Sequence, residues 1–236
     1  PVLSSSRKVK AIWNILMQND YLTNVIGWWP SHPAEPVNGV YVSNFFQRIN
    51  HPLERPAPLA PGTVHPAELA KPFAKLRVHP EELTPVHLLP FVPTATEIDQ
   101  AQDRRLLALA RIIAETASLH SVATWVMEHS PWDFMAVYYD ALDHFSHTFM
   151  KFHPPRRPDI PEDLFRHYQG VVDGAYLFHD MMLDRLMQLA GPDTTVMLVS
   201  DHGFHSDHLR PSRIPREPAG PAHEHRPYGI FCLRGP

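Results

Sequence analysis

The stretch Trp132–Met150, WDFMAVYYDALDHFSHTFM, sets an apolar run of strand length directly before a segment of acids and histidines. WDFMAVYY is aromatic-rich and hardly alternates, the pattern of a strand buried on both faces. Asp140, Asp143, His144 and His147 follow at once. The same order returns in TTVMLVSDHGFH at 194–205, where the strand runs into Ser200, Asp201 and His202 before a turn at Gly203. GIFCL at 229–233 is a third apolar run, and His223-Glu224-His225 stands just before it.

Helical patterns fill the intervals. RKVKAIWNILMQN, after Ser4-Ser5-Ser6, places Val9, Ile12, Trp13 and Leu16 at helical spacing, with the serines as N-cap and Asn19-Asp20 as the stop. YLTNVIGWW reads as a short strand closed by Gly27, and VYVSNFF as another. Longer helices are expected from Thr96 to Glu128 and from Leu164 to Leu189, the latter burying Val172, Tyr176, Leu183, Leu186 and Leu189. Asn50 to Pro93 holds ten prolines and no sustained period, so residues 50–95 read as a proline-rich surface insertion or lid. Helices alternating with apolar strands predict an α/β fold. Its mainly parallel central sheet would hold the strands at about 22–27, 133–139, 195–200 and 229–233, with helices on both faces. Ligands of such folds bind beyond the carboxyl ends of the strands, where two of the clusters stand.

Composition narrows the field. A length of 236 residues fits one domain, and 44% hydrophobic with 19% charged residues excludes a disordered tail or a coiled coil. A net charge of −4 without any block of like charge opposes a nucleic-acid-wrapping surface. No apolar run approaches the ~18–20 residues of a membrane span, and no signal-peptide pattern opens the chain. The lone Cys232 excludes an internal disulfide and a thiolate zinc cluster; it is expected to be a buried strand residue. With 17 histidines, nitrogen-ligand metal chemistry is the first possibility to examine. The chain opens on Pro1 and its first methionine is Met17, so it is expected to be a piece of a longer polypeptide. Residues 1–236 then read as a single α/β hydrolytic domain, cut at its N-terminus and expected to be cut at its C-terminus too.

Carboxylate oxygen and imidazole nitrogen are what a zinc-like divalent ion takes when no thiolate is on offer. Asp143 and His147 are four apart, so one helical turn brings them to one ion. A lone D-x-x-x-H means little in a histidine-rich chain, and a lone Asp-His after a strand is more often a cap or a surface turn. Three such clusters, each adjoining an expected strand, carry more weight.

YYDALDHFSHTFM and LVSDHGFHSD, followed by HRPYGIFCLRGP, resemble the type I phosphodiesterase/nucleotide pyrophosphatase branch of the alkaline phosphatase superfamily. RKVKAIWNIL and VIGWWPSHPAEPVNGVYVS resemble the segment after the nucleophile region in bacterial members. The resemblance implies an alkaline phosphatase-like fold and a metal-dependent hydrolase of phosphodiesters or nucleotide pyrophosphates. It implies two divalent ions, Zn2+ by preference. Asp143, His147 and His225 would hold one, and Asp201 and His202 the other. The substrate would be a small phosphate ester or nucleotide. The nucleophile, a Thr or Ser, and one further Asp ligand would lie upstream; no residue here matches them, and the isolated chain is expected to be inactive.

Other motifs carry less. Ser200-Asp201-His202 contains triad letters, but adjacent residues cannot form the relay, and no nucleophile elbow, dinucleotide fingerprint or P-loop occurs. Trp28, Trp29, His32 and Glu35 could line a substrate pocket, although adjacent aromatics after a strand more often pack. His144, His205, His208 and His223 are expected around the ligands rather than among them. Arg156, Arg157, Arg210, Arg213 and Arg216 could attract a phosphate, but are expected to be solvated loop residues. The alternative function is an inactive metal-binding or scaffold domain of the same fold. A mononuclear iron oxygenase is weaker still, because it calls for a β-barrel.

Overall fold

In the computed structural model, which describes residues 2–236, Thr23–Ile26 forms β1 with all four residues buried. β2 (Tyr41–Val42) lies parallel to it, Val25 opposite Tyr41, and β3 (Val64–His65) runs antiparallel on the far side of β2. β4 (Phe134–Val137) pairs parallel with β1, from Thr23 opposite Phe134 to Ile26 opposite Val137. The order is β3-β2-β1-β4, so the fold is mixed α/β around a mostly parallel sheet. Gly27 ends β1 at φ +71°, where a β-carbon would sit 2.6 Å from the Leu119 side chain.

This sheet belongs to the first of two compact units, formed by the chain through Thr84 with Leu107–Ala141. Here α1 is only Ile12–Met17, shorter than the spacing predicts, and Val9 is exposed. The reason is local. The Asn14 side chain accepts the Ala11 N–H at 2.9 Å, and Arg7 donates to the Val9 carbonyl, which holds residues 7–11 out of the helix. Trp13 alone is buried from α1, edge-on to Tyr41 at 5.8 Å and Trp28 at 5.6 Å. The proline-rich stretch carries short helical turns, α2 (Ala70–Ala74) and α3 (Pro85–Leu88) among them. It also carries β3 and the fully buried Phe73, which meets Trp125 edge-on.

α4 (Arg105–His129) begins later than predicted because the Asp103 carboxylate accepts the Arg105 N–H and caps it there; Ala95–Glu97 is a separate turn. Leu109, Ala114, Val122, Ala123 and Val126 are buried along it. Among the described residues it is the one helix long and apolar enough to cross a membrane, which the reading of apolar runs missed. Of its most apolar window, 56% is buried inside the protein, and core helices of soluble proteins pass the same test.

The second unit comprises Pro85–Leu106 and Leu142–Pro236. It is built on α5 (Ala141–Phe149), α6 (Glu162–Tyr168) and α7 (Val171–Ala190), the last two dividing at Gln169-Gly170 where one helix is predicted. Val171, Val172, Ala175 and Met182 are buried along α7, Val172 as predicted, whereas Tyr176 is exposed. Gly174, not Tyr176, faces Phe91 here: a β-carbon on it would lie 3.0 Å from the Phe91 ring, and Leu183, Leu186 and Leu189 are half-buried.

β5 (Val196–Ser200) and β8 (Ile230–Arg234) do not join the central sheet. They pair antiparallel with each other, Leu198 opposite Cys232, and the ribbon is largely exposed, Cys232 included. The intervening chain is closed by β6 (Gly203–Phe204) against β7 (His225–Arg226), which returns β8 beside β5 without the crossover a parallel pair needs. Apolar content alone predicts buried parallel strands here and cannot distinguish the two pairings.

Candidate metal centre

α5 buries Phe145 and Phe149 completely, with Phe145 stacked on Phe91 at 5.7 Å. That apolar face fixes the rotation of the helix. Asp143 and His147, one turn apart on another face, point together, with His147 Nε2 3.3 Å from Asp143 Oδ1. The β6–β7 ladder supplies the rest. Phe204 stands opposite His225, and His202 immediately precedes β6. His202 Nε2 and His225 Nε2 each lie 3.6 Å from the same Asp143 Oδ1, and His225 Nε2 is 3.0 Å from His147 Nε2. The His202 and His225 rings are stacked at 3.7 Å, and Phe204 meets all three imidazoles edge-on.

Three ring nitrogens thus face one carboxylate oxygen, His147 Nε2 nearest at 3.3 Å and the other two at 3.6 Å. Donor atoms of Asp143, His147 and His225 all lie within 4.8 Å of one another. Without a cation, the acids hold a proton on His147: the Asp143 hydrogen bond, then that of Glu224, push its pKa up to about 9 against the opposing effect of burial. Burial pushes the Asp143 carboxyl up, but the His147 hydrogen bond and the charges of His147, His144 and His202 outweigh it and hold it below the usual range. Burial, reinforced by the charges of His202 and His147, depresses His225. One carboxylate with convergent imidazoles is the donor set of a zinc-like ion, whose binding would displace the His147 proton.

Asp201 stands at the margin. Its side chain is 94% exposed, with Oδ1 3.9 Å from His202 Nε2. His223 is exposed, 3.8 Å from Glu217, and takes no part; His205 Nδ1 faces Asp207 at 3.7 Å. Arg210 is buried rather than solvated, its guanidinium donating to the carbonyls of Met150, His153 and Pro155. One residue escaped the reading of ligand types: Glu224, whose carboxylate lies 2.7 Å from His147 Nδ1. Its only signal in the sequence was its place between His223 and His225.

In the first unit, Trp28 and Trp29 line a cavity of about 410 Å³ with Arg7, Ile12 and Trp13. Glu35 is occupied by Arg7 at 2.8 Å and Asn14 at 3.0 Å, and His32 stacks on Phe45 at 4.1 Å.

The family model described as type I phosphodiesterase / nucleotide pyrophosphatase matches residues 4–210. The matched span contains Asp143, His147, Asp201 and His202 and stops short of Glu224 and His225. Comparison with curated proteins and with solved structures gives no match. With most of its length matched, the chain belongs to the type I phosphodiesterase/nucleotide pyrophosphatase family, within the alkaline phosphatase superfamily.

Proposed function

We propose that the chain carries the metal-binding part of a hydrolase that cleaves phosphodiesters or nucleotide pyrophosphates with two zinc-like ions. The family assigns the class of reaction, and the convergence of three imidazoles on Asp143 Oδ1 carries the metal reading. In this reading Asp143, His147 and His225 hold one ion. Asp201 and His202 hold the second, which fits the solvent-facing position of Asp201. Bound divalent ions supply positive charge opposite the phosphoryl oxygens of the substrate. The chain's own contribution is to orient the ligands. His202 Nδ1 faces the Gly203 carbonyl at 3.2 Å, which favours the tautomer that leaves Nε2 free. The nucleophile is a Thr or Ser outside residues 1–236, because none inside stands in the family context.

The test is metal analysis together with hydrolysis of a nitrophenyl phosphodiester by the parent protein and by its Asp143→Asn and His147→Ala variants. Bound zinc and turnover in the parent, both lost in the variants, are expected. A parent protein without metal overturns the reading; one that binds zinc without turnover is the scaffold instead.

A further inference from the structure

We propose that Glu224 is a positioning residue: its carboxylate fixes the tautomer and the orientation in which His147 presents Nε2 to a divalent cation. The proposal rests on the reading that Asp143, His147 and His225 hold such a cation.

The two nitrogens of an imidazole point to opposite sides of the ring, so the partner of one decides what the other can do. Glu224 Oε2 lies 2.7 Å from His147 Nδ1, the distance of a charge-assisted hydrogen bond. A carboxylate accepts only, so Nδ1 must carry the hydrogen. In the neutral ring the lone pair then sits on Nε2, the atom that faces Asp143 Oδ1 at 3.3 Å and His225 Nε2 at 3.0 Å. Ligating histidines commonly donate their second ring N–H to a carboxylate or a carbonyl, and loss of that partner costs 10–100-fold in metal affinity.

Glu224 is itself held in place. It ends the helical turn Gly220–Glu224, and its backbone carbonyl accepts the His205 N–H at 2.9 Å. The next residue, His225, enters the β7 ladder, so a single backbone segment presents a ligand candidate and the orienting acid together. The carboxylate is largely shielded, its side chain 15% exposed, which limits competition from water. Phe204 stands edge-on to the His147 ring at 4.9 Å and opposes its rotation.

The experiment is zinc titration of the full chain against a chromophoric chelator, with long-range 1H–15N correlation of the histidine rings in the zinc-loaded wild type. Glu224→Ala should bind zinc 10–100-fold more weakly, and Glu224→Gln, which keeps an acceptor without the charge, should lose less. His147→Ala should lose the site. In the wild type, His147 should keep its Nδ1 proton and take the metal on Nε2. Wild-type zinc affinity in Glu224→Ala, with the site lost in His147→Ala, overturns the role of Glu224 and leaves the metal reading standing. Metal on Nδ1 of His147 also overturns it, and that readout holds even where a variant does not fold. Absence of zinc binding by the wild type overturns the metal reading and this proposal with it.

Discussion

Phe204 and His225 face each other across the β6–β7 ladder, and their rings meet edge to face at 4.9 Å. Directly opposed residues in an antiparallel pair point to the same side, so this pairing turns His225 toward the ring that also flanks His147 and His202. The three imidazoles are gathered around one aromatic side chain. Phe204→Leu keeps apolar bulk but removes the edge contacts, each worth about 0.5–1.5 kcal/mol. Urea unfolding of the metal-free chain should show a stability loss of that order, accompanied by weaker zinc binding. Unchanged zinc affinity would mean that the ladder backbone places the histidines without the ring.

Phe145 should matter for a different reason. It is fully buried and stacked on Phe91, on the face of α5 that leaves Asp143 and His147 directed at the other histidines. Phe145→Ala should cost about 3–5 kcal/mol through the cavity it leaves. Phe145→Leu should cost much less and retain zinc binding. Denaturation midpoints of the two variants check this, and equal losses would show that shape rather than volume decides the site.

Asp103 predicts the pH dependence of the second unit. Burial raises its carboxyl, but the Arg105 N–H, the Tyr168 hydroxyl at 2.9 Å and the Arg105 guanidinium outweigh burial and hold it below the ordinary range. A folded pKa below the unfolded value, about 3.9, gives stability that is present above that pH and lost as pH falls through the folded pKa. Asp103→Ala should cost about 0.5–2 kcal/mol at pH 7, the scale of a helix cap, and should flatten the decline of stability below pH 4. Urea midpoints at pH 7 and pH 3 measure both effects. A variant as acid-sensitive as the wild type would remove Asp103 from the account.

The sequence and the structure agree where short-range pattern decides. β4 was legible because its residues are apolar without alternation and β1 because a short β-branched run is closed by Gly27, and the D-x-x-x-H spacing on α5 follows from helical geometry alone. The partners of Val196–Ser200 were not legible, because apolar content specifies a strand and not its neighbour. On α7 Val172 was legible and Tyr176 was misplaced, because Gly174 offers no hydrophobic signal and yet packs against Phe91. Glu224 was passed over because its role depends on a ring 77 positions away. Long-range pairing of that kind leaves no periodic trace.

The metal stoichiometry of the chain follows from the difference between its two groups of candidate ligands. Asp143, His147 and His225 keep their donor atoms within 4.8 Å of one another around Asp143 Oδ1, so little rearrangement separates them from three-point coordination. Three protein ligands with one open position is the arrangement of a catalytic zinc centre. Asp201, by contrast, is 94% exposed, with His202 as its one ion-pair partner among the described residues. Two ligands, one of them free to reorient in water, should bind an ion weakly. The 236-residue chain should therefore take up about one zinc tightly and a second only at much higher concentration, with negligible hydrolysis of a nitrophenyl phosphodiester. His147→Ala should abolish the tight site, because it removes a nitrogen at the centre of the cluster. His144→Ala should not, because His144 acts on Asp143 through its charge and none of the converging donor atoms is its own. Zinc titration with metal analysis decides both. Two equally tight ions would show that Asp201 closes on His202 when metal arrives, and full diesterase activity would place the nucleophile within these residues.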